Sequence, residues 1–292
     1  MERICIMKKS ALYFFALCLC LSSCTAETVR QEHSSGSSAP VSGPARSPGE
    51  ETPHPSEPSP EAGEAIREEC VLKGWRICID PGHQAAGNAE MEFCAPWNEE
   101  RKAKCTSGAR GNFTGTDEYV LNLSIAQKIK EKLSSLGAEV YMTREIHAVN
   151  LSNRERAEAA NRFGADITLR IHCNSAETET VEGIELYVRG AGDGTAEYRK
   201  RSEDDFQKAE SLIQFLCAET GAVSRGVFRS DAYTGINWCQ NTCIIVECGF
   251  LSNEREDRLL NTEAYQERIA EGIKNYFVSS ALVSSDKNIS GL

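Results

Sequence analysis

The sequence predicts a single α/β domain in which a twisted, mostly parallel sheet is covered by helices on both faces. Strand-like and helix-like segments alternate between residues 75 and 277, and this alternation is typical of parallel sheets. The late segment 242–247 (TCIIVE) is almost wholly apolar, as expected for a strand that is buried on both faces. The stretch 71–280 is long enough to enclose one hydrophobic core.

The strand segments contain β-branched and aromatic residues and are bounded by turn residues. The first segment ends at Pro81-Gly82, a pair that interrupts a strand. The sequence predicts five strands, in the order Trp75–Asp80, Glu139–Thr143, Ile167–His172, Ile184–Val188 and Thr242–Glu247.

The helix segments repeat apolar residues at the three- or four-residue spacing that places them on one face. In the first helix these residues include Leu121, Ile125 and Ile129. Ser152 and Glu155 have the spacing of a capping box, which marks the start of the second helix. The sequence predicts four helices, in the order Asp117–Leu136, Asn153–Phe163, Asp204–Thr220 and Tyr265–Phe277.

An export signal is predicted at the start of the chain. Basic residues precede an apolar run, residues 11–21, and this combination is typical of a secretory signal. The run is shorter than the roughly 20 residues that span a bilayer. Residues 21–24 (LSSC) resemble a bacterial lipobox, so we expect removal of residues 1–23 and lipidation of Cys24. Ordinary secretion with cleavage nearby is the alternative.

Residues 24–70 predict a disordered tether, because they are rich in Ser, Pro, Gly and Glu and contain no aromatic residue. Such a composition cannot bury enough apolar surface to offset chain entropy. The sequence therefore divides into a signal peptide at 1–23, a tether at 24–70, a folded domain at 71–280 and a tail at 281–292. We expect the lipid anchor to hold the domain at the extracytoplasmic face of the cell membrane.

The charge balance argues against a nucleic-acid partner. The chain has 32 basic and 43 acidic residues, which give a formal net charge of −11, whereas nucleic-acid binders normally carry a basic face. The sequence gives no sign of an obligate protein partner.

Polar side chains lie at the ends of three predicted strands. His83 follows the first strand, His172 ends the third, and Glu247 ends the last. Ligands of open α/β sheets bind beyond the carboxyl ends of the strands. Glu118, in the first turn of the following helix, lies within about 20° of the apolar stripe, so its side chain should face the sheet. A first-turn acid can also simply complement the helix dipole.

Two histidines and one carboxylate form a common catalytic zinc set, which leaves a fourth position for water. The metal lowers the pKa of water and polarises a carbonyl group, and a second carboxylate can then carry protons. We therefore assign His83, Glu118 and His172 to one Zn²⁺ per chain and Glu247 to general-base catalysis. The ligands are dispersed along the chain, so their spacing is less specific than that of a compact H-E-x-x-H helix.

The segments that carry these residues resemble the zinc-dependent N-acetylmuramoyl-L-alanine amidases of bacterial cell walls. The resemblance implies hydrolysis of the amide bond between N-acetylmuramic acid and L-alanine in peptidoglycan, for wall remodelling or daughter-cell separation. It also implies the zinc ligands and the catalytic glutamate assigned above. The matching segments occur in family order at Ile79–His83, Glu118–Leu123, Arg156–Asn161, Ile171–Asn174 and Val246–Asn253.

Arg156 and Asn174 lie inside these motifs and are candidate substrate-binding residues. The alternative function is a catalytically silent cell-wall-binding or regulatory lipoprotein of the same fold, although such a relative would usually lose one of the four site residues. A zinc exopeptidase of related fold would need a second metal cluster or a carboxylate clamp, and neither is evident in the sequence.

The segment between His83 and Thr116 departs from the Gly-rich pattern that is usual in the family. This insertion lies beside the site, so we expect it to shape the substrate groove. It contains Cys94 and Cys105, which we expect to form a disulfide, although an anaerobic habitat would leave them reduced. Cys173 replaces a usual alanine and is expected to be a buried thiol. Buried thiols are also expected at Cys78, Cys217 and Cys248.

Overall fold

The computed structural model describes residues 70–290. The predicted signal peptide, the lipidation site Cys24 and nearly all of the predicted tether lie outside the described residues. Within residues 70–290, no helix is both long and apolar enough to cross a membrane.

A six-stranded sheet forms the centre of the domain, with strand order β4–β1–β5–β8–β6–β7. Four of its five pairings are parallel, and the β6–β8 pairing is antiparallel. This confirms the predicted fold class. The strands are β1 (Arg76–Pro81), β4 (Glu139–Met142), β5 (Ile167–Asn174), β6 (Ile184–Arg189), β7 (Ser224–Ser230) and β8 (Thr242–Phe250), and a separate antiparallel hairpin consists of β2 (Asn88–Phe93) and β3 (Arg101–Cys105).

Six helices surround the sheet in the described residues, and the capping box of the second has both of its hydrogen bonds. They are α1 (Glu118–Ser135), α2 (Asn153–Phe163), α3 (Ala196–Thr220), α4 (Thr234–Asn237), α5 (Glu254–Leu260) and α6 (Glu263–Ser290). Helix α6 runs well beyond Phe277, into the segment expected to be a tail.

The two faces of the sheet differ in chemistry, because successive residues of a strand point to opposite faces. One face is apolar and packs against α1, α3 and α6 in the larger core, to which β8 contributes Ile244 and Val246. The other face packs against α2 and α4 in a smaller core, which includes Ile245. Glu247 follows Ile245 by two residues on β8, so the two side chains point to the same face. The candidate site therefore lies at the edge of this second face.

Several elements were not predicted. Strand β7 has the sequence SRGVFRS and is half exposed at the sheet edge, so it lacks the apolar pattern of a buried strand. Helix α3 begins at Ala196, where Thr195 caps it, eight residues before the expected start. Its first two turns are mostly polar and therefore carry no clear apolar periodicity.

The expected disulfide between Cys94 and Cys105 is wrong. Cys105 pairs with Asn88 at one end of the hairpin, whereas Cys94 follows Phe93 at the other end. At about 3.4 Å per residue, this register separates the cysteines by far more than the roughly 6 Å that a disulfide allows. Both thiols are free. The prediction of buried thiols is confirmed for Cys78, Cys173 and Cys248, while Cys217 is half-buried.

Candidate metal centre

His83 lies in the turn that follows β1. Its φ is 59°, and within residues 70–290 no other non-glycine residue has a positive φ. Such strained backbone is common at functional sites. Its Nδ1 lies 2.9 Å from the carbonyl oxygen of Thr106, in the insertion. Because a carbonyl can only accept, Nδ1 carries a proton, and Nε2 is the ring nitrogen that a metal could use.

Glu118 is the first residue of α1 and its side chain is buried, which confirms that it faces the sheet. Its Oε2 accepts a hydrogen bond from the backbone N–H of Ala109 at 2.8 Å. Its Oε1 accepts from Asn122 Nδ2 and from the backbone N–H of Cys173, both at 3.2 Å. These donors fix the carboxylate in one orientation.

His172 lies on β5 and reaches the same carboxylate, with its Nδ1 at 3.1 Å from Glu118 Oε1. Its Nε2 is buried and has no hydrogen-bond partner. The ring packs directly on Gly82, where an added Cβ would lie only 2.2 Å from His172 Cε1. The glycine after β1 is therefore required by the close approach of this imidazole.

The charges of the three groups are set by burial and by one another. Burial lowers the pKa of His172 to about 4, which keeps this imidazole neutral. Burial opposes protonation of His83 as well, but hydrogen bonds to Cys105 and Glu118 outweigh it and raise the pKa of His83 to about 10. A metal ion that binds here would therefore displace the Nε2 proton of His83. Burial would raise the pKa of Glu118, but the two imidazoles hold that pKa well below its usual range.

His83, Glu118 and His172 each offer one ligand atom, and these atoms lie within 4.8 Å of one another. Two imidazole nitrogens and a carboxylate oxygen are a donor set that suits Zn²⁺. The unpartnered His172 Nε2 is the kind of buried atom that a metal would satisfy. The residues therefore fit a divalent metal ion.

Glu247 lies beside this cluster. It is the register partner of His172 on the neighbouring strand, and of Glu185 on its other side. Its Oε2 is buried without a hydrogen-bond partner. Burial, followed by the charge of Glu118, raises the pKa of Glu247 well above its usual value. A carboxyl group in this state is suited to accept and hold a proton.

Arg156 does not lie where a substrate would reach it, which corrects the expectation that it binds substrate. The side chain is 1% exposed. It donates to Asp80 Oδ1 at 2.8 Å, to the carbonyl oxygens of Pro81 and His83 at 2.9 and 3.0 Å, and to Gln84 Oε1 at 2.9 Å. Arg156 therefore holds the loop that carries His83.

Asn174 ends β5 at the rim of the site. Its Nδ2 donates to Glu185 Oε1 at 2.7 Å, and its Oδ1 accepts from the backbone N–H of Ser175. The side chain is half-buried, and a role in substrate binding remains a prediction.

Sequence reasoning missed the contribution of the insertion to the cluster. Besides Thr106 and Ala109, it supplies Gly108, where an added Cβ would lie 2.5 Å from Glu118 Oε2 and 2.8 Å from His83 Cδ2. A threonine, a glycine and an alanine that belong to no motif give no signal in the sequence. The insertion therefore encloses the candidate metal centre as well as bordering it.

The chain was compared with known proteins. A family model described as N-acetylmuramoyl-L-alanine amidase matches residues 77–276. The uncharacterized protein YqiI of Bacillus subtilis (strain 168) is 31% identical over 170 residues, which cover 58% of this chain and 76% of that protein. The N-acetylmuramoyl-L-alanine amidase LytC of the same strain is 29% identical over 206 residues, 70% of this chain but only 35% of LytC.

A solved structure shares the fold. The crystal structure of the N-acetylmuramyl-L-alanine amidase Ami1 from Mycobacterium smegmatis matches with a TM-score of 0.64 and 20% identity. The match covers 73% of this chain and 99% of Ami1. At this identity the likeness concerns the fold alone.

Proposed function

The chain belongs to the N-acetylmuramoyl-L-alanine amidase family, hydrolases of the amide between N-acetylmuramic acid and L-alanine in peptidoglycan, and we propose that it uses one Zn²⁺ for this reaction. His83, Glu118 and His172 would hold the ion, and Glu247 would act as general base. The observation that carries the proposal is the convergence of three ligand atoms within 4.8 Å, beside a carboxyl group that is their neighbour in the sheet register.

The donor set of the cluster suits Zn²⁺. When bound, Zn²⁺ supplies Lewis-acid polarisation of the scissile carbonyl and lowers the pKa of a water molecule. Thr106 orients His83 through Nδ1, and Ala109 orients Glu118. Such outer contacts hold metal ligands in place and tune their basicity.

Glu247 performs the proton transfers. It takes a proton from the attacking water and later delivers it to the nitrogen that leaves with L-alanine. Its raised pKa favours holding the proton between these two steps. The rigid backbone of β8, paired on both sides, keeps the carboxyl group in position.

The alternative of a silent wall-binding lipoprotein has less support. All four site residues are present, and the side chains of the three candidate ligands meet in one cluster. Cell-wall amidases act outside the cytoplasm. We further propose that a lipid on Cys24 anchors the enzyme at the extracytoplasmic face of the membrane, where it acts in wall remodelling or daughter-cell separation.

Digestion of purified peptidoglycan by the mature chain tests the activity. Products identified by mass should be stem peptides that begin with a free L-alanine amino group, together with glycan that has lost its peptides. Glu247→Gln is the control, and it should release almost none. Products cut within the peptide or the glycan, or wall binding without any product, would contradict the proposed activity.

A further inference from the structure

Glu185 continues the row of register partners that His172 and Glu247 form across the sheet. It is the register partner of Glu247 on β6, and its side chain is buried. Its carboxylate accepts hydrogen bonds from Asn174 Nδ2 and Tyr187 Oη at 2.7 Å each, and from Arg225 Nε at 2.8 Å. Three donors occupy this carboxylate, so Glu185 fixes its neighbours in place.

A β-bulge brings Arg225 to this row. The β6–β7 register passes from Ile184–Ser224 to Glu185–Gly226, which leaves Arg225 as the extra residue. Gly226 has a φ of 97°, which glycine adopts without strain. Bulges re-aim side chains and are common next to active sites.

The effect of the bulge is visible four residues further along β7. Residues four apart on a regular strand share a face, so without the bulge Arg225 and Arg229 would point to the same side of the sheet. Arg229 pairs with Glu203 and lies 3.9 Å from the ring centroid of Phe206, and these two partners are on helix α3. Helix α3 covers the apolar face of the sheet. Arg225 instead pairs with Glu185, on the face that carries Glu247.

Arg225 also lies at the same edge of the sheet as the candidate site. Strand β6 is antiparallel to β8 and parallel to β7, so the start of β7 lies at the edge where β8 ends. Two inter-strand spacings of about 4.8 Å separate β7 from β8, which places the backbone of Arg225 about 10 Å from that of Glu247. An extended peptide covers about 3.3–3.6 Å per residue, so Arg225 can reach a group one or two residues beyond a scissile bond.

The guanidinium of Arg225 is held in place but keeps free hydrogen-bond donors. Nε donates to Glu185, and Cζ lies 5.1 Å from the ring centroid of Phe250. The side chain is 37% exposed, and within residues 70–290 its two Nη groups make no hydrogen bond. A fixed guanidinium with two free donors is suited to binding a carboxylate through paired hydrogen bonds.

We propose that Arg225 binds the carboxylate that follows L-alanine in the stem peptide, at the second residue. This inference rests on the proposed amidase function. The second residue carries a free carboxylate in some peptidoglycans and a carboxamide in others. Arg225 is therefore a specificity determinant that favours the free acid.

Two soluble substrates isolate this contact. They are N-acetylmuramoyl-L-alanyl-γ-D-glutamyl-L-lysine amide and its D-isoglutaminyl counterpart. In both, the γ-carboxyl group of the second residue is in the peptide bond to lysine, so the substrates differ only in an α-carboxylate and an α-carboxamide. The wild-type enzyme should have a kcat/KM about tenfold higher for the acid, because hydrogen bonds between charged groups are the stronger ones. Arg225→Gln should remove this preference, mainly by raising KM for the acid, so that the ratio of kcat/KM between the two substrates falls to about one.

Arg229→Gln is the matched control, since Arg229 has the same kind of ion pair and aromatic contact on the opposite face. It should retain the wild-type preference, and thermal melting should show both variants folded. A preference that survives Arg225→Gln, or equal wild-type rates on the two substrates, would overturn the role of Arg225 alone. Failure of the wild-type enzyme to cleave either substrate would overturn the proposed amidase function and this inference with it.

Discussion

His172 and Glu247 are register partners on the neighbouring strands β5 and β8. Side chains of register partners lie on the same face of a sheet, so backbone pairing alone sets this imidazole beside this carboxyl group. Each side chain has one buried atom without a hydrogen-bond partner, His172 Nε2 and Glu247 Oε2. Buried polar atoms are nearly always bonded, so these two atoms mark where metal and substrate are expected to bind.

Removing one ligand should remove the metal. His172→Ala should lose most of the zinc found in the wild-type mature chain by elemental analysis, because two ligands hold Zn²⁺ poorly. His147→Ala is the matched control, since His147 is an exposed histidine outside the cluster. Stoichiometric zinc in His172→Ala would show that the ion binds elsewhere.

Gly108→Ala should weaken metal binding, because the new Cβ would collide with Glu118 and His83. Changes to the groups that support metal ligands typically cost 10- to 100-fold in affinity, and we expect a loss of about that size in a zinc-chelator competition. Gly194→Ala is the control, because Gly194 also has a positive φ but nothing lies within 4 Å of an added Cβ. Equal affinities in the two variants would rule out a specific role for Gly108.

Asp80 should stabilise the fold at neutral pH. Burial would raise the pKa of Asp80, but the guanidiniums of Arg156 and Arg170 outweigh it and hold that pKa well below its usual range. Asp80→Asn leaves two buried cations without their partner, which typically costs about 3–5 kcal/mol of unfolding free energy. Chemical denaturation at pH 7 measures this difference.

The same ion pairs predict a pH dependence. A carboxyl group with a depressed folded-state pKa stabilises the fold above its unfolded pKa, about 3.9, and this stabilisation is lost as pH falls towards the folded-state value. The gap in stability between the wild-type chain and Asp80→Asn should therefore narrow below about pH 4. A gap that is constant from pH 7 to pH 3 would mean that charge at Asp80 does not stabilise the fold.

The proposed anchor depends on Cys24. In cells, Cys24→Ala should move the protein from the membrane fraction to the soluble fraction or the medium, because the thiol that carries the lipid is gone. Cys20→Ala, four residues earlier in the apolar run, should leave the protein in the membrane fraction. Membrane association that persists in Cys24→Ala would favour an uncleaved signal as the anchor.

The parts of the fold that sequence reasoning could predict are those whose residues carry a strong local pattern. The buried strand that holds Glu247 is a continuous apolar run, and the helix that starts at Glu118 has a regular apolar stripe. The inward direction of Glu118 follows from that stripe. The four proposed site residues could be singled out because they lie at the ends of such elements.

The remaining features depend on contacts between distant segments. The hairpin register that separates Cys94 from Cys105 is fixed by pairing, which no spacing encodes. Arg156 could not be recognised as buried, because its partners Asp80 and Gln84 are more than 70 residues away in the chain. The position of Arg225 depends on a bulge in a polar edge strand, which sequence reasoning did not recognise as a strand.

The most direct test of the central claim compares Glu247→Gln with Glu118→Gln, since both replace a carboxylate by an amide of the same size. Bound zinc and the release of stem peptide from peptidoglycan are measured on each purified variant. Glu247→Gln should keep zinc near the wild-type level and lose about 10²–10⁴-fold in turnover, the usual contribution of general-base catalysis. Glu118→Gln should lose both zinc and turnover, because a neutral amide is a poor zinc ligand. Near-normal turnover in Glu247→Gln, or loss of zinc there with zinc retained in Glu118→Gln, would contradict the assigned roles.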